Sequence, residues 1–292
     1  MKKLLAILLA LSMCFALLTG CGSSSDAAEQ PAEEPAAEEP AAEEPAEEPA
    51  AAEPAEDAEA AEGEATALTT VTEGVLTMST NAAFPPYEMV ADDGSFEGID
   101  VEIAGAIAKK LGLELVVDDM GFGAALLAVQ QGKSDIVMAG VTVNEDRKLV
   151  MNFSDTYSKG VQVVIVKEGS DVTLDNLGDQ MIGTQRGTTG YIYTSGDYGE
   201  DHVTAYDNGA SAVQALMNGQ VDCVVIDSAP AQAFVETNPG LTILDTEYTS
   251  EDYAIGMNKD NTALLEAVNG ALKELTEDGT IPAIVEKYIP TK

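Results

Sequence analysis

Positive charge is scarce in this chain. Of its 292 residues, 14 are Lys or Arg and 51 are Asp or Glu, a formal net charge of −37. That balance excludes a surface built to neutralise nucleic-acid phosphates, and excludes electrostatic adhesion to anionic lipid. The deficit is not confined to one tract. Residues 26–64 hold 16 acids and no base, which leaves 35 acids against 12 bases beyond that tract, near −23, and those twelve bases lie from Lys109 onward. Cysteine is also scarce: Cys14, Cys21 and Cys223 are the three, the last alone in the apolar run Val221 to Ile226. No disulfide is expected from such a set. Long apolar runs are absent apart from Leu4 to Leu18, and no kinase or DNA-binding segment is present.

What is present begins with that run. Lys2 and Lys3 precede it, it is short for a membrane span, and it ends in Leu18-Thr19-Gly20-Cys21. The pattern reads as a secretory signal over residues 1–20. Its end looks like a bacterial lipobox, in which Cys21 is acylated and becomes the mature N-terminus. The expected location is the cell membrane, lipid-anchored on the extracytoplasmic face. Residues 21–69 follow, almost wholly Ala, Glu and Pro, with AEEPAAEEPAAEEPAEEPA at their centre. A segment with so little large apolar surface cannot offset its ordering entropy, and its recurrent prolines break any helix that Ala and Glu favour. A disordered tether is expected, with a reach approaching ~100 Å when extended; binding of calcium or a basic partner is the alternative.

Residues 70–292 read as alternating strands and helices. Val75 to Thr80, Leu113 to Val117, Asp135 to Ala139, Val161 to Lys167, Gln180 to Thr184, Val203 to Tyr206, Val221 to Asp227 and Leu241 to Leu244 are short candidates for buried strands. Asp100 to Leu111, Gly123 to Gln131, Gly209 to Asn218 and Pro230 to Thr237 are candidate helices. The alternation predicts an α/β fold with mainly parallel sheets and ligands at the carboxyl ends of the strands. Two stretches, AALLAVQQGKSDIVMAGVT (124–142) and SAVQALMNGQVDCVVIDSA (211–229), share one layout: amphipathic helix, Asn/Gln-Gly turn, Asp, apolar strand, polar loop. That layout points to two similar lobes.

Three loops carry chemistry. Arg147 follows an apolar strand, the loop Gly140-Val141-Thr142 and the expected N-cap Asn144, so it stands in the first turn of a helix. A cation there opposes the helix dipole. Either it pairs on the surface with Glu145 or Asp146, or its guanidinium fork receives a carboxylate, for which it is well shaped. Asp227 ends a buried strand: it either caps the helix that comes after it or presents a carboxylate to a cation. Gln185-Arg186-Gly187-Thr188-Thr189-Gly190 opens a helix whose free amides attract anions. It lacks the lysine and spacing of a Walker A motif, so a carboxylate is the better guest; Arg186 is assigned to the surface.

The stretches LTMSTNAAFPPYEMVADDGSFEGIDVEIAGAIAKKLG, AVQQGKSDIVMAGVTVNEDRKLVMNFSDTYS, IGTQRGTTG, GQVDCVVIDSA and YAIGMNKDN with its continuation to Ile289 resemble, in order, the landmarks of family 3 of the bacterial extracellular solute-binding proteins, the amino-acid receptors of ABC importers. The resemblance implies a two-lobed, periplasmic-binding-protein-like (type II) α/β fold hinged on two crossing strands. Lobe one is expected at 70–158 plus 252–292, lobe two at 159–251, with the crossings near Tyr157 to Gly160 and Ser250 to Tyr253. It also implies a free, polar L-amino acid as ligand, with Arg147, Thr142 and Thr189 on its α-carboxylate and Asp227 with the Gly140 carbonyl on its α-ammonium. Asn81, Phe84, Tyr87 and Phe122 would surround its side chain. Basic-amino-acid receptors of the family often carry an acid where Asn81 stands; Glu88 or Asp119 are the substitutes here, so glutamine-like, small polar and basic ligands all stay open. The partners implied are the amino acid, the permease subunits and the membrane through the N-terminal lipid; no nucleic acid, cofactor or metal is expected, and the chain is expected to be a monomer. Two rivals remain: a cyclohexadienyl dehydratase-like enzyme on the same fold, with Glu88 or Glu251 as general acid, and a solute receptor feeding a separate membrane sensor.

Overall fold

The computed structural model describes residues 68–290, apart from residue 246. The expected signal, the lipid-bearing Cys21 and the tether as far as residue 67 lie outside the described residues.

The strands are β1 (Val75–Thr80), β2 (Ala83–Phe84), β3 (Glu88–Val90), β4 (Phe96–Glu97), β5 (Glu114–Asp119), β6 (Ile136–Val137), β7 (Met151–Lys167), β8 (Ile182–Gln185), β9 (Val203–Tyr206), β10 (Cys223–Asp227), β11 (Leu241–Ile243) and β12 (Thr249–Asn258). The helices are α1 (Ile99–Lys110), α2 (Phe122–Gln130), α3 (Glu145–Val150), α4 (Thr189–Tyr198), α5 (Gly209–Met217), α6 (Ser228–Thr237), α7 (Thr262–Glu277) and α8 (Thr280–Tyr288). One curled sheet runs in the order β5-β1-β6-β12-β7-β10-β8-β9 with β11 on β7, and β2, β3 and β4 form a small second sheet.

The expectation of mainly parallel sheets holds only on the two flanks. β1 is parallel to β5 and β6, and β8 is parallel to β9 and β10. At the centre β7 runs antiparallel to β10, β11 and β12, and β12 is antiparallel to β6. The cause is one 17-residue strand, β7, that passes from one flank to the other, and β12, which returns along it. Gly160 pairs with Glu251, Lys159 with Asp252 and Ser158 with Tyr253, so the two segments expected to cross lie side by side, with register shifts at Tyr253 and Ala254.

The core divides along the same line. Leu76 and Met78 of β1 pack with Ile103 and Ile107 of α1 and with Leu264, Val268 and Leu272 of α7; α2 contributes Phe122, Ala125 and Val129 to a cluster on the other face with Val137 and Met151. On the other flank, Val163, Ile165, Val224 and Ile226 face α5 and Phe234, while Val164, Val166, Cys223 and Val225 face Ile182 and Leu177. Alternate residues of β7 and β10 thus enter opposite clusters, as the period of a strand requires. Coverage on both faces explains why these strands read as unbroken apolar runs.

The shared layout in the sequence is a shared structure. α2 and α5 each end shortly before a glycine at positive φ, Gly132 at 65° and Gly219 at 71°, a conformation that costs other residues a steric penalty. The aspartate after each turn acts alike in both places. Asp135 accepts the N–H groups of Val71 and Thr77 (2.7 and 2.8 Å), and Asp222 accepts that of Met181 (2.8 Å). Each ties the start of its own strand to the neighbouring one.

Candidate functional site

The carboxyl ends of β1, β6, β8 and β10 converge on one cavity, the place where ligands bind in α/β folds. Eight residues singled out from the sequence line it: Asn81, Phe84, Phe122, Gly140, Thr142, Arg147, Thr189 and Asp227. Tyr87 does not; it is buried one layer behind, stacked on Phe84 with ring centroids 5.7 Å apart and edge-on to Tyr253 at 5.4 Å.

Arg147 is 7% exposed. α3 begins where expected: the Asn144 side chain accepts the Arg147 backbone N–H at 2.8 Å and caps the helix. The guanidinium donates to the carbonyls of Thr142 (2.9 Å) and Gly187 (3.3 Å) and lies 5.4 Å from the centre of the Phe122 ring. The surface pairing considered for it does not form, since Glu145 is bound by Lys148 at 2.9 Å. Among the described residues no ion pair engages Arg147. Burial draws its pKa down, against the field of Glu251, yet a guanidinium stays charged. A desolvated cation with donors to spare is a receptor for an anion.

Asp227 is 1% exposed and caps its helix, the first of the two readings considered for it. Its Oδ1 accepts the Ala229 N–H at 3.0 Å and caps α6, while Oδ2 accepts the Val161 N–H at 2.8 Å, and the carboxylate also lines the cavity. Burial pushes its pKa up to about 6, opposed by the Ala229 and Val161 N–H groups and the Tyr253 hydroxyl. Gly140, at φ 54°, donates its N–H to Asp100 at 3.0 Å. A Cβ there would stand 2.8 Å from the Phe84 ring, so glycine lets that aromatic close over the backbone.

Three hydrogen bonds join the flanks across the cavity: Thr142 Oγ1 to Thr189 Oγ1 (3.3 Å), Arg147 Nη2 to the Gly187 carbonyl (3.3 Å), and Gln185 Nε2 to Asn81 Oδ1 (2.8 Å). Thr188 caps α4 and Thr189 is its first residue, so the free amides of that helix open beside the cavity. Arg186 lies on the surface, donating to the Ala205 carbonyl at 3.0 Å and standing 3.9 Å from Asp207.

Seven lining residues were not singled out as contacts: Gln162, Gln185, Thr188 and Tyr253, and the apolar Ala139, Val225 and Ile226. Gln162 had a signal, being the single polar residue in the run Val161 to Val166; it donates to Glu251 at 2.8 Å. Of the acids weighed as substitutes for Asn81, Glu88 lines the cavity, whereas Asp119 is spent on the Ala82 N–H at 2.8 Å.

Known proteins resemble this chain. A probable histidine-binding protein of Neisseria gonorrhoeae is 33% identical over 221 residues, 73% of this chain and 82% of that protein. The structure of an ancestral arginine-binding protein bound to glutamine is 38% identical, with a TM-score of 0.72, over 75% of this chain and all of that one (100%). An ancestral amino acid-binding protein described as a precursor of cyclohexadienyl dehydratase is 29% identical, with a TM-score of 0.68, over 74% of this chain and 95% of that one. The family model of the bacterial extracellular solute-binding proteins, family 3, matches residues 76–291, and with the two-lobed fold and its cavity this match shows that the chain belongs to that family.

Proposed function

We propose that the protein captures a free, polar L-amino acid between its lobes and delivers it to the permease of an ABC importer. The observation that carries the reading is one buried guanidinium without an ion-pair partner among the described residues and one buried carboxylate, lining the same cavity from opposite flanks. These are the complements of an α-carboxylate and an α-ammonium. In this reading Arg147, Thr142 and the Thr189 amide hold the carboxylate, Asp227 and the Gly140 carbonyl hold the ammonium, and Asn81, Phe84 and Phe122 meet the side chain, with Tyr87 supporting Phe84. The lobes comprise residues 70–158 plus 252–292 and 159–251, hinged where β7 and β12 pair. Closure is the signal to the permease, because only the closed form makes both sets of contacts. Leu18-Thr19-Gly20-Cys21 supports removal of residues 1–20 and lipid attachment at Cys21, with residues 21–69 as the spacer from the membrane.

In this reading the protein binds and does not catalyse. Of the two acids weighed for catalysis, Glu251 accepts a hydrogen bond from Gln162 and Glu88 lines the cavity. A thermal-shift screen of the purified protein against the amino acids, prephenate and arogenate tests both readings. A ligand of the folded state raises the midpoint in proportion to RT ln(1 + [L]/Kd). A rise with at least one amino acid is expected; no response to any amino acid, or turnover of prephenate or arogenate, overturns the transport reading.

A further inference from the structure

The flanks of the cavity touch in two ways. Three contacts are the hydrogen bonds already described. Others are apolar, and Phe84 is at their centre. It is the second residue of β2 and packs against the core that holds Leu76 and Met78. It packs as well against the core of the opposite flank, which holds Ala212, Val213 and Ile226. β2 accordingly comes alongside α5, the helix that carries Ala212 and Val213. A reciprocal contact runs the other way, since Ala229 of α6 packs against the core of Leu76 and Met78.

The Phe84 ring is braced from its own side. It stacks on Tyr87 with centroids 5.7 Å apart, the Tyr87 N–H donates to the Phe84 carbonyl at 3.0 Å, and a Cβ at Gly140 would stand 2.8 Å from the ring. Held in this way, the ring cannot follow the opposite flank when the flanks part. Separation then exposes apolar surface of the ring and of the core it meets, and closure removes that surface from water, which is favourable in proportion to the area. Arg147 and Asp227 act with the opposite sign, because burying a charge is unfavourable until a partner arrives. Phe84 therefore favours the closed form before any ligand is bound.

We infer that Phe84 is an apolar latch: carried by one lobe and seated in the core of the other, it sets the fraction of ligand-free protein that is closed. The inference rests on the two-lobed amino-acid receptor proposed above and gives Phe84 a positioning role that does not depend on the ligand's side chain. The ring also lines the cavity, and the two roles have different signatures. A wall of the site discriminates among ligands by their side chains. A latch weakens every ligand by one common factor, because the apparent affinity is the affinity of the closed form scaled by the closed fraction.

The test is the single-molecule transfer efficiency of the ligand-free full chain, with dyes on the exposed positions Leu127→Cys and Met217→Cys and with Cys14→Ser and Cys21→Ser in every protein compared. In Phe84→Ala the ratio of closed to open molecules is expected to fall about tenfold or more, the effect of losing the burial of an aromatic side chain. Phe84→Leu keeps an apolar body and is expected to lie between Phe84→Ala and the native protein. It also keeps the test decisive where Phe84→Ala folds poorly, with circular dichroism reporting the fold. Calorimetry with alanine, glutamine and arginine follows on the same proteins. Each of these that binds the native chain is expected to weaken by the factor by which the closed fraction falls. A ligand-free ratio that both variants leave unchanged, or a native ligand-free protein with no closed population, overturns the inference. So does a loss of affinity confined to the ligands with long side chains, which would leave Phe84 as a wall of the site. All three outcomes keep amino-acid binding in place; failure of every amino acid to bind instead overturns the function on which the inference rests.

Discussion

Among the described residues, no ion pair answers the charge of Arg147 or of Asp227. Exposed ion pairs contribute about 0–1 kcal/mol; removing one partner of a desolvated pair costs roughly 2–5 kcal/mol. Magnitude therefore separates a ligand contact from a structural one. Arg147→Lys keeps the charge and loses the planar fork; Asp227→Asn keeps a residue that caps α6 well and loses the anion. Each is expected to weaken the amino acid found in the screen by about 30-fold to several thousand-fold by calorimetry, with circular dichroism unchanged. A folded variant that binds within about fivefold of the native protein, the size of an exposed pair, is not a ligand contact. Both residues were legible in the sequence because each follows an apolar strand and stands at the start of a helix. Their burial was not, because it depends on which flank closes over them. Tyr87 shows the converse: one aromatic position among several looked like a wall of the site, yet three-dimensional packing puts Phe84 in front and Tyr87 behind.

At the scale of elements, the positions of β1, β9, β10, α1, α2, α5 and α6 follow from apolar runs and helical periodicity, and the two Asn/Gln-Gly turns mark both helix ends. β7 was legible only in its second half. Residues Met151 to Gly160 alternate irregularly between buried and exposed, since this part of the strand pairs with β12 while crossing between cores and has no continuous apolar face to declare it. What fixes the crossing is Gly160. A Cβ there would stand 2.5 Å from the Tyr253 Cζ and Oη and 2.7 Å from Asp227 Oδ2. Gly160→Ala is thus expected to drive Tyr253 and Asp227 off their present positions. Overpacking of this kind costs about 1–3 kcal/mol, so the melting midpoint falls, and affinity falls with it because Asp227 has moved. An alanine variant with native midpoint and affinity would show that the strands give way without disturbing the site.

For the whole molecule, closure opposes burial of unanswered charge. The three hydrogen bonds that join the flanks are each expected to contribute only about 0.5–1.5 kcal/mol net, while the closed form takes Arg147 and Asp227 out of water, at a cost that exceeds such gains when no partner is supplied. An amino acid reverses the sign, because it supplies both partners at once, and it shifts the equilibrium only by its differential affinity for the closed form. Dyes on Leu127→Cys and Met217→Cys report this directly: both positions are exposed, on α2 and α5, and Cys223 is 0% exposed and escapes labelling. Single-molecule transfer efficiencies are expected to be distributed over open and closed forms without ligand and to collapse to one population at saturation. Arg147→Lys, given the same ligand concentration, keeps the ligand-free distribution. If saturating amino acid leaves the native distribution unchanged, the lobes do not move on binding, and the permease must then read something other than closure.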